Sequence, residues 1–493
     1  EIKSTSPPSY ESVRNRARGR EISVDSVTAA TAMPHAGSAT IPRVALSYTA
    51  PVGSDQEEIV AIIGSAVQAL QLAAAYLPQT SLAETALNSI PTTINDDKLR
   101  QQALGGTDAI VSGVLHLIKE CINTESVCVA GLIAIKKLCR CNPSANSSCE
   151  NNIIKLVGAG AIQIVIDVAR KHTEVDLVLE HTCQIFAYMA YYSPFNVTLS
   201  AKGAVDVVVM VVNTQGRAQE ITIAACAAVA KLGEYRPSND QFGKSGICEV
   251  LVTRLQDNCR NIPICEACWR ACATLANDVS NARRLLDADI CNVLAMSFST
   301  EEICADSAVG WSCSCLINLV VVDGTKSSLR MTGICEALMA SLTRYTGKPL
   351  VVEMLCRALV AIIQGDDTNL ERLSALGVCE GLVETLGNNE NVTRVVRWAC
   401  RVITLLSTRF PVPNIEKLRE AGVKPILKRI IRNKELPYKD RVGANDVLKK
   451  MSKYSTYRTS MNLYLESVFH KSEQTRNDIT DDDSHAIHNS ASE

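Results

Sequence analysis

The sequence predicts an all-α protein, a right-handed α-solenoid of about eight three-helix repeats, and three observations carry that expectation. Seven glycine-like positions, Gly160, Gly203, Gly246, Asp289, Gly333, Gly377 and Gly422, stand 43 to 45 residues apart, each opening an apolar helix. A fixed period of this length marks a stack of like units rather than a globule with one cleft. Seven or eight residues before most of these marks stands an asparagine: Asn152, Asn196, Asn239, Asn281, Asn369 and Asn414. Finally, hydrophobic residues make up 47% of the chain but aromatics only 4%, so Ala, Val, Leu, Ile and Cys fill the helices and allow close stacking.

The elements follow in order. Residues 1–54 are rich in Ser, Pro, Thr, Ala and Gly and carry no helical period, which reads as a disordered segment. Within it Pro7-Pro8-Ser9-Tyr10 resembles the Pro-Pro-x-Tyr ligands of WW domains, a four-residue match that chance also supplies. Arg14, Arg16, Arg18 and Arg20 precede Ser23, a candidate phosphosite or localisation patch.

Residues 55–455 form the expected solenoid. Asp108 reads as an eighth mark, 52 residues before Gly160, with the polar insert Asn142–Asn152 accounting for the extra length. In each unit the asparagine is expected to cap a short first helix, and the glycine to end it in left-handed geometry. Asp289 replaces glycine at the fourth mark, and Asp tolerates that geometry better than most residues. An apolar second helix follows, as in Ala161–Lys171, Ala204–Val212 and Val378–Leu386. A polar break such as Asn388–Asn391 then leads to a longer third helix, as in Leu177–Tyr191, Gln219–Leu232 and Val392–Leu406. Residues 456–493 read as a C-terminal helix near Tyr457–Phe469 and an acidic disordered tail, Asn477–Glu493, a candidate competitor for a basic groove.

Net charge is −2, which argues against a general nucleic-acid binder. Apolar runs such as Ala204–Val212 are too short to span a bilayer, so no transmembrane segment is expected. The N-terminus shows no secretory leader, although the chain begins at Glu1 and a fragment of a longer protein fits equally well. Phosphate-loop, dinucleotide, nucleophile-elbow and zincin patterns are all missing. His172 and His181 flank an inter-helix break and read as solvated residues, so no catalytic role and no cofactor is expected.

Twenty cysteines invite a disulfide or metal reading. Their register opposes it. Cys183, Cys226, Cys313, Cys356 and Cys400 fall 23 or 24 residues after their marks, and Cys248, Cys291, Cys335 and Cys379 two residues after theirs. A free thiol there acts as a small apolar side chain. One helix-packing distance, about 10 Å, separates equivalent positions, too far for bridging. Reduced core thiols imply a cytoplasmic protein, with a nuclear pool left open. Cys265-x2-Cys268-x3-Cys272, and Cys313-x-Cys315 beside Cys304, break the register, but no matching histidine completes a metal site.

The recurring triplets Gly160-Ala161-Ile162, Gly203-Ala204-Val205, Gly246-Ile247-Cys248, Gly333-Ile334-Cys335 and Gly377-Val378-Cys379 resemble the second-helix start of armadillo repeats. The resemblance covers residues 55–455. It implies a concave groove, lined by third helices, that holds an extended peptide. The importin-α-like version pairs a third-helix Trp with an Asn four residues later. Here the Asn-equivalent positions read Tyr188, Lys231, Thr274, Asn318, Ala361 and Thr404. Four residues earlier stand Gln184, Ala227, Arg270, Ser314, Arg357 and, within one residue, Arg401. Only Asn318 keeps the pattern, and Trp269, Trp311 and Trp398 read as packed between units.

Positive charge stands where that ladder is missing. Arg394, Arg397 and Arg401, spaced i, i+3, i+7, share one helix face, and Arg270 and Arg357 extend the stripe. Rows of guanidinium groups suit carboxylates or phosphates, while a solvated helix face is the competing reading. The last unit is basic too, with twelve Lys or Arg from Lys417 to Lys453. The expected function is a non-catalytic scaffold or adaptor binding an acidic or phosphorylated segment. A transport receptor of importin-α type and a regulatory repeat domain of a larger signalling protein are the alternatives.

Overall fold

The computed structural model describes residues 55–77, 79–95, 97–140, 148–214, 216–299, 306–409 and 411–454. The WW-type motif, the arginine run before Ser23, the C-terminal helix and the acidic tail lie outside them. Among the described residues there are no strands. Twenty-five helices run from Asp55 to Arg432, and one more covers 438–454. A two-helix unit, Asp55–Ala75 and Thr80–Ile94, is followed by eight units with a first, second and third helix. Each unit packs on its neighbours, and one apolar core runs unbroken from Ile62 to Met451. This is the nearest-neighbour stacking of a solenoid.

The glycine marks work as the period requires. Gly160, Gly203, Gly246, Gly333, Gly377 and Gly422 hold φ between +78° and +89°, and Asp289 holds +68°. This left-handed residue turns the chain sharply from first to second helix without a Cβ penalty at glycine. Asp108 departs from the expectation. It lies inside the first turn of Asp108–Glu120, after Thr107, and Gly106 before it has φ −75°, so that turn is made without a left-handed residue.

The asparagines do something other than cap. Asn152, Asn196, Asn239, Asn281, Asn369 and Asn414 sit within their first helices, all 4% exposed or less. Apart from Asn196, their amides donate to backbone carbonyls, either at the end of a helix or on the first helix of the preceding unit. Asn239 Nδ2 reaches Gly233 O at 2.9 Å and Thr274 O at 3.0 Å, and Asn281 Nδ2 reaches Asn239 O at 2.8 Å. Asn152 serves Gln101 O and Leu138 O, Asn369 serves Lys326 O and Ile362 O, and Asn414 serves Leu406 O. The last carbonyls of a helix have no partner within it, so a buried side-chain donor there removes a desolvation cost. True N-caps come from Asp97, Asn261, Asp278 and Asp366.

All seventeen described cysteines are free, and Cys259 is the one exposed among them. Burial pushes the thiols of Cys248, Cys356, Cys379 and Cys400 up to about 12. The 10 Å expectation needs correction at one step: Cys226 and Cys268, on adjacent third helices, have their sulfurs 3.7 Å apart. Helix axes keep that spacing, but two side chains pointing at each other close most of it. The Cys265–Cys272 cluster disperses, with Cys265 donating to Asn258 O at 3.1 Å, Cys268 facing Cys226, and Cys272 buried in the core. Cys304 lies outside the described residues.

A further correction concerns membranes. Glu57–Ala75 is long and apolar enough to cross one by length and composition. The sequence reading missed it because Glu57, Glu58, Gln68 and Gln71 interrupt the apolar run. In the solenoid this helix buries Ile62, Ala66, Leu70 and Ala73 in the common core, while Val60 and Leu72 face out.

Candidate partner-binding groove

Third helices pack side by side from Thr80–Ile94 to Thr393–Arg409, so equivalent residues form rows across the stack. Along these helices Tyr188, Lys231, Arg270, Thr274, Asn318 and Arg357 are half-buried, and they are the candidate groove surface.

The sequence-predicted residues fall on this surface but mostly reach across to neighbours. Arg270 lies 5.5 Å from the ring centroid of Trp311, and Arg357 lies 5.4 Å from that of Trp398. In both cases an arginine stacks on a tryptophan of the next unit. Trp311 and Trp398 are therefore packed between units as expected, yet half-buried and on the groove surface, whereas Trp269 is fully in the core. Cation–π attraction of this kind is worth about 0.5–2 kcal/mol and leaves the guanidinium edge free to donate.

The arginine face is less uniform than its spacing. Arg397 makes a two-pronged ion pair with Asp440, at 2.7 and 3.0 Å, whose carboxylate is otherwise buried in the last unit. Arg394 approaches Glu353 at 3.7 Å, and Arg401 is exposed with no ion pair among the described residues. Helical spacing places three side chains on one face. It cannot see that Asp440, 43 residues on, claims the middle one.

Towards the N-terminal end, Gln184 Nε2 donates to Glu180 at 2.8 Å and Tyr188 is half-buried. Lys231 pairs with Glu234 at 2.7 Å and lies 5.0 Å over Tyr191. Thr274 Oγ1 donates to Arg270 O, and Asn318 Nδ2 is committed to Ala273 O and Asn277 Oδ1 at 2.9 Å each. Asn318 thus binds its own neighbour unit.

Sequence reasoning missed Lys136, and its reading of His181 as solvated needs correction. His181 is 6% exposed, not solvated, and its Nδ1 lies 3.2 Å from Lys136 Nζ. Burial, and next the Lys136 charge, push His181 down to about 4. The register held the signal, because 181 lies three residues before the Gln184 position, where Trp311 and Trp398 stand in their units. His172 is also fixed, its Nε2 2.7 Å from Ile122 O.

No family model matches the chain, and no curated protein matches its sequence. Solved structures do. An engineered protein is similar at 16% identity and TM-score 0.56, over 81% of this chain and 97% of that one. A structure from work on a conserved phosphorylation switch that controls the interaction between cadherin and β-catenin is similar at 13% identity and TM-score 0.58, over 78% of this chain and 68% of that one. A designed armadillo repeat protein in complex with the peptide (KR)4 aligns over 52% of this chain and 98% of its own, at 17% identity and TM-score 0.43. The chain has an armadillo-like α-solenoid fold.

Proposed function

We propose that this solenoid is a non-catalytic scaffold that holds an extended acidic or phosphorylated protein segment along its third helices. The observation that carries the reading is the pair of cross-unit stacks, Arg270 on Trp311 and Arg357 on Trp398. Each fixes a guanidinium against a flat apolar wall, so less side-chain entropy is lost when it binds a carboxylate or phosphate. The two sit two units apart, about 20 Å at helix-packing spacing. An extended segment covers that in roughly six residues. The fold neighbour from the phosphorylation-controlled interaction between cadherin and β-catenin agrees with this class of partner but shares only fold with this chain.

Free buried thiols fit a reducing compartment, and cytoplasmic placement, with a nuclear pool allowed, belongs to the same proposal. The test uses phosphorylated and Glu-rich peptides with fluorescence anisotropy. Charge reversal at Arg270, Arg357 and Arg401 should abolish binding while circular dichroism stays unchanged. Arg397 is left intact because its loss would strand Asp440. Retained binding in the triple variant would refute the reading.

A further inference from the structure

The terminal unit carries an excess of cations that the groove does not use. From Lys417 to Lys453 twelve Lys or Arg stand against four carboxylates, Glu420, Glu435, Asp440 and Asp446. In the second helix, Val423–Arg432, Val423, Leu427 and Ile430 are buried, while Lys424, Lys428 and Arg432 point to solvent at i, i+4, i+8. Lys439 and Lys453 extend the exposed set. Asp440 is taken by Arg397, and Arg429 pairs with Glu390. None of Lys424, Lys428, Arg432, Lys439 and Lys453 has an ion pair among the described residues, unlike Lys155, Arg217, Arg330 and Arg372 in other units.

A solenoid end needs a polar face to stay soluble, but mixed charges would meet that need. A cap with three times as many cations as carboxylates instead raises the local potential and calls for a counter-charge. The chain contains one. Residues 477–493 hold Asp478, Asp481, Asp482, Asp483 and Glu493 with no Lys or Arg. Asp481 follows Tyr454, the last described residue of this cap, by 27 positions. Even the far side of the unit is within covalent reach, since that length spans up to about 90 Å when extended. Exposed ion pairs are individually weak. Tethering supplies an effective concentration on the order of millimolar, enough to populate weak contacts at moderate salt.

We infer that the acidic segment 477–493 docks on the basic outer face of the terminal unit, around Lys424, Lys428 and Arg432, and screens that face from other polyanions. The groove is the poorer seat for this segment, because Arg397 is already paired with Asp440 and Arg394 lies against Glu353.

Amine acetylation followed residue by residue with mass spectrometry tests this in the full chain. Compared with an Asp478→Asn, Asp481→Asn, Asp482→Asn, Asp483→Asn variant, the wild type should label Lys424, Lys428 and Lys439 at least twofold more slowly in 50 mM salt. The difference should vanish in 0.5 M salt, and Lys136 and Lys231 in the groove should be unaffected. Equal rates at the cap would overturn the inference. So would protection that moves to Lys231, which would seat the segment in the groove. In a second arm, phosphatidylserine vesicles should bind the Asn variant more tightly than the wild type, by several-fold. Equal vesicle binding would make the cap a membrane surface and exclude the tail as its occupant.

Discussion

Arg357 reaches across the unit boundary to lie 5.4 Å over the ring of Trp398, repeating two units further on the relation of Arg270 to Trp311. A stacked guanidinium is flat and forked, and an ammonium is neither. Arg357→Lys therefore keeps the charge but loses the stack and the two-pronged donor. It should weaken binding of an acidic peptide by about tenfold, near 1.4 kcal/mol, with the melting temperature shifted by no more than a few degrees. A peptide titration with equal affinity for both forms would show that charge alone matters there.

Gly243 and Asn281 belong to successive first helices and share one space. A Cβ on Gly243 would stand 1.6 Å from Asn281 Oδ1. Gly105 meets Asn152 in the same way, at 2.3 Å. Gly243→Ala should therefore destabilise by about 2–3 kcal/mol, since the asparagine must leave carbonyls it now serves. Asn281→Ala alone should cost about 1–3 kcal/mol. The double variant should cost clearly less than the sum, because the clash is gone once the asparagine is. Urea unfolding together with hydrogen exchange in the flanking units measures the cycle, and strict additivity would contradict this contact.

These residues also mark how far the sequence could be read. The period and the glycines gave the stack because left-handed geometry after a first helix is a local property with a local signature. The asparagine period was visible as well, but its meaning was not. A cap and a buried donor to the neighbouring unit need the same residue type, and only the position within the helix, set by packing, separates them. The groove shows the same limit. Arg394, Arg397 and Arg401 share a face by local arithmetic, yet Asp440 and Glu353 come from other units and redistribute their charges. The pairing of Lys136 with His181 stayed hidden because it is a contact between units, and only the register shared with Trp311 and Trp398 hinted that His181 is packed.

His181 makes the solenoid sensitive to acid. Its folded value is depressed from 6.5 to about 4, first by burial and then by Lys136. The unfolded chain therefore takes up a proton before the folded one does, so the stabilisation is present above pH 6.5 and is lost as pH falls towards 4. At about 1.4 kcal/mol per unit, the loss is bounded by roughly 3 kcal/mol. Melting curves between pH 7 and 4 should steepen in this window for the wild type, and His181→Gln should flatten it. An identical pH profile in both proteins would mean that other groups dominate.

The thiols respond in the opposite direction. Cys356, Cys379 and Cys400 are held near 12 by burial, against 9.0 for the unburied group, whereas Cys259 is exposed. Only a thiolate alkylates readily. At pH 8 a thiol at 12 carries roughly a thousandfold less thiolate than one at 9, by the same pKa arithmetic. Brief treatment of the native chain with iodoacetamide should therefore mark Cys259 first and leave these three unmodified until urea is added. The same shifts make the fold alkali-labile. The folded state keeps its thiol protons longer than the unfolded chain, so stability is complete below pH 9 and falls from there towards 12. Replacing Cys356 and Cys400 with Ala, which suits a small buried site, should shorten that decline while lowering stability at neutral pH by about 1 kcal/mol. Rapid native alkylation of Cys356 would show that the third helices open far more often than their packing implies.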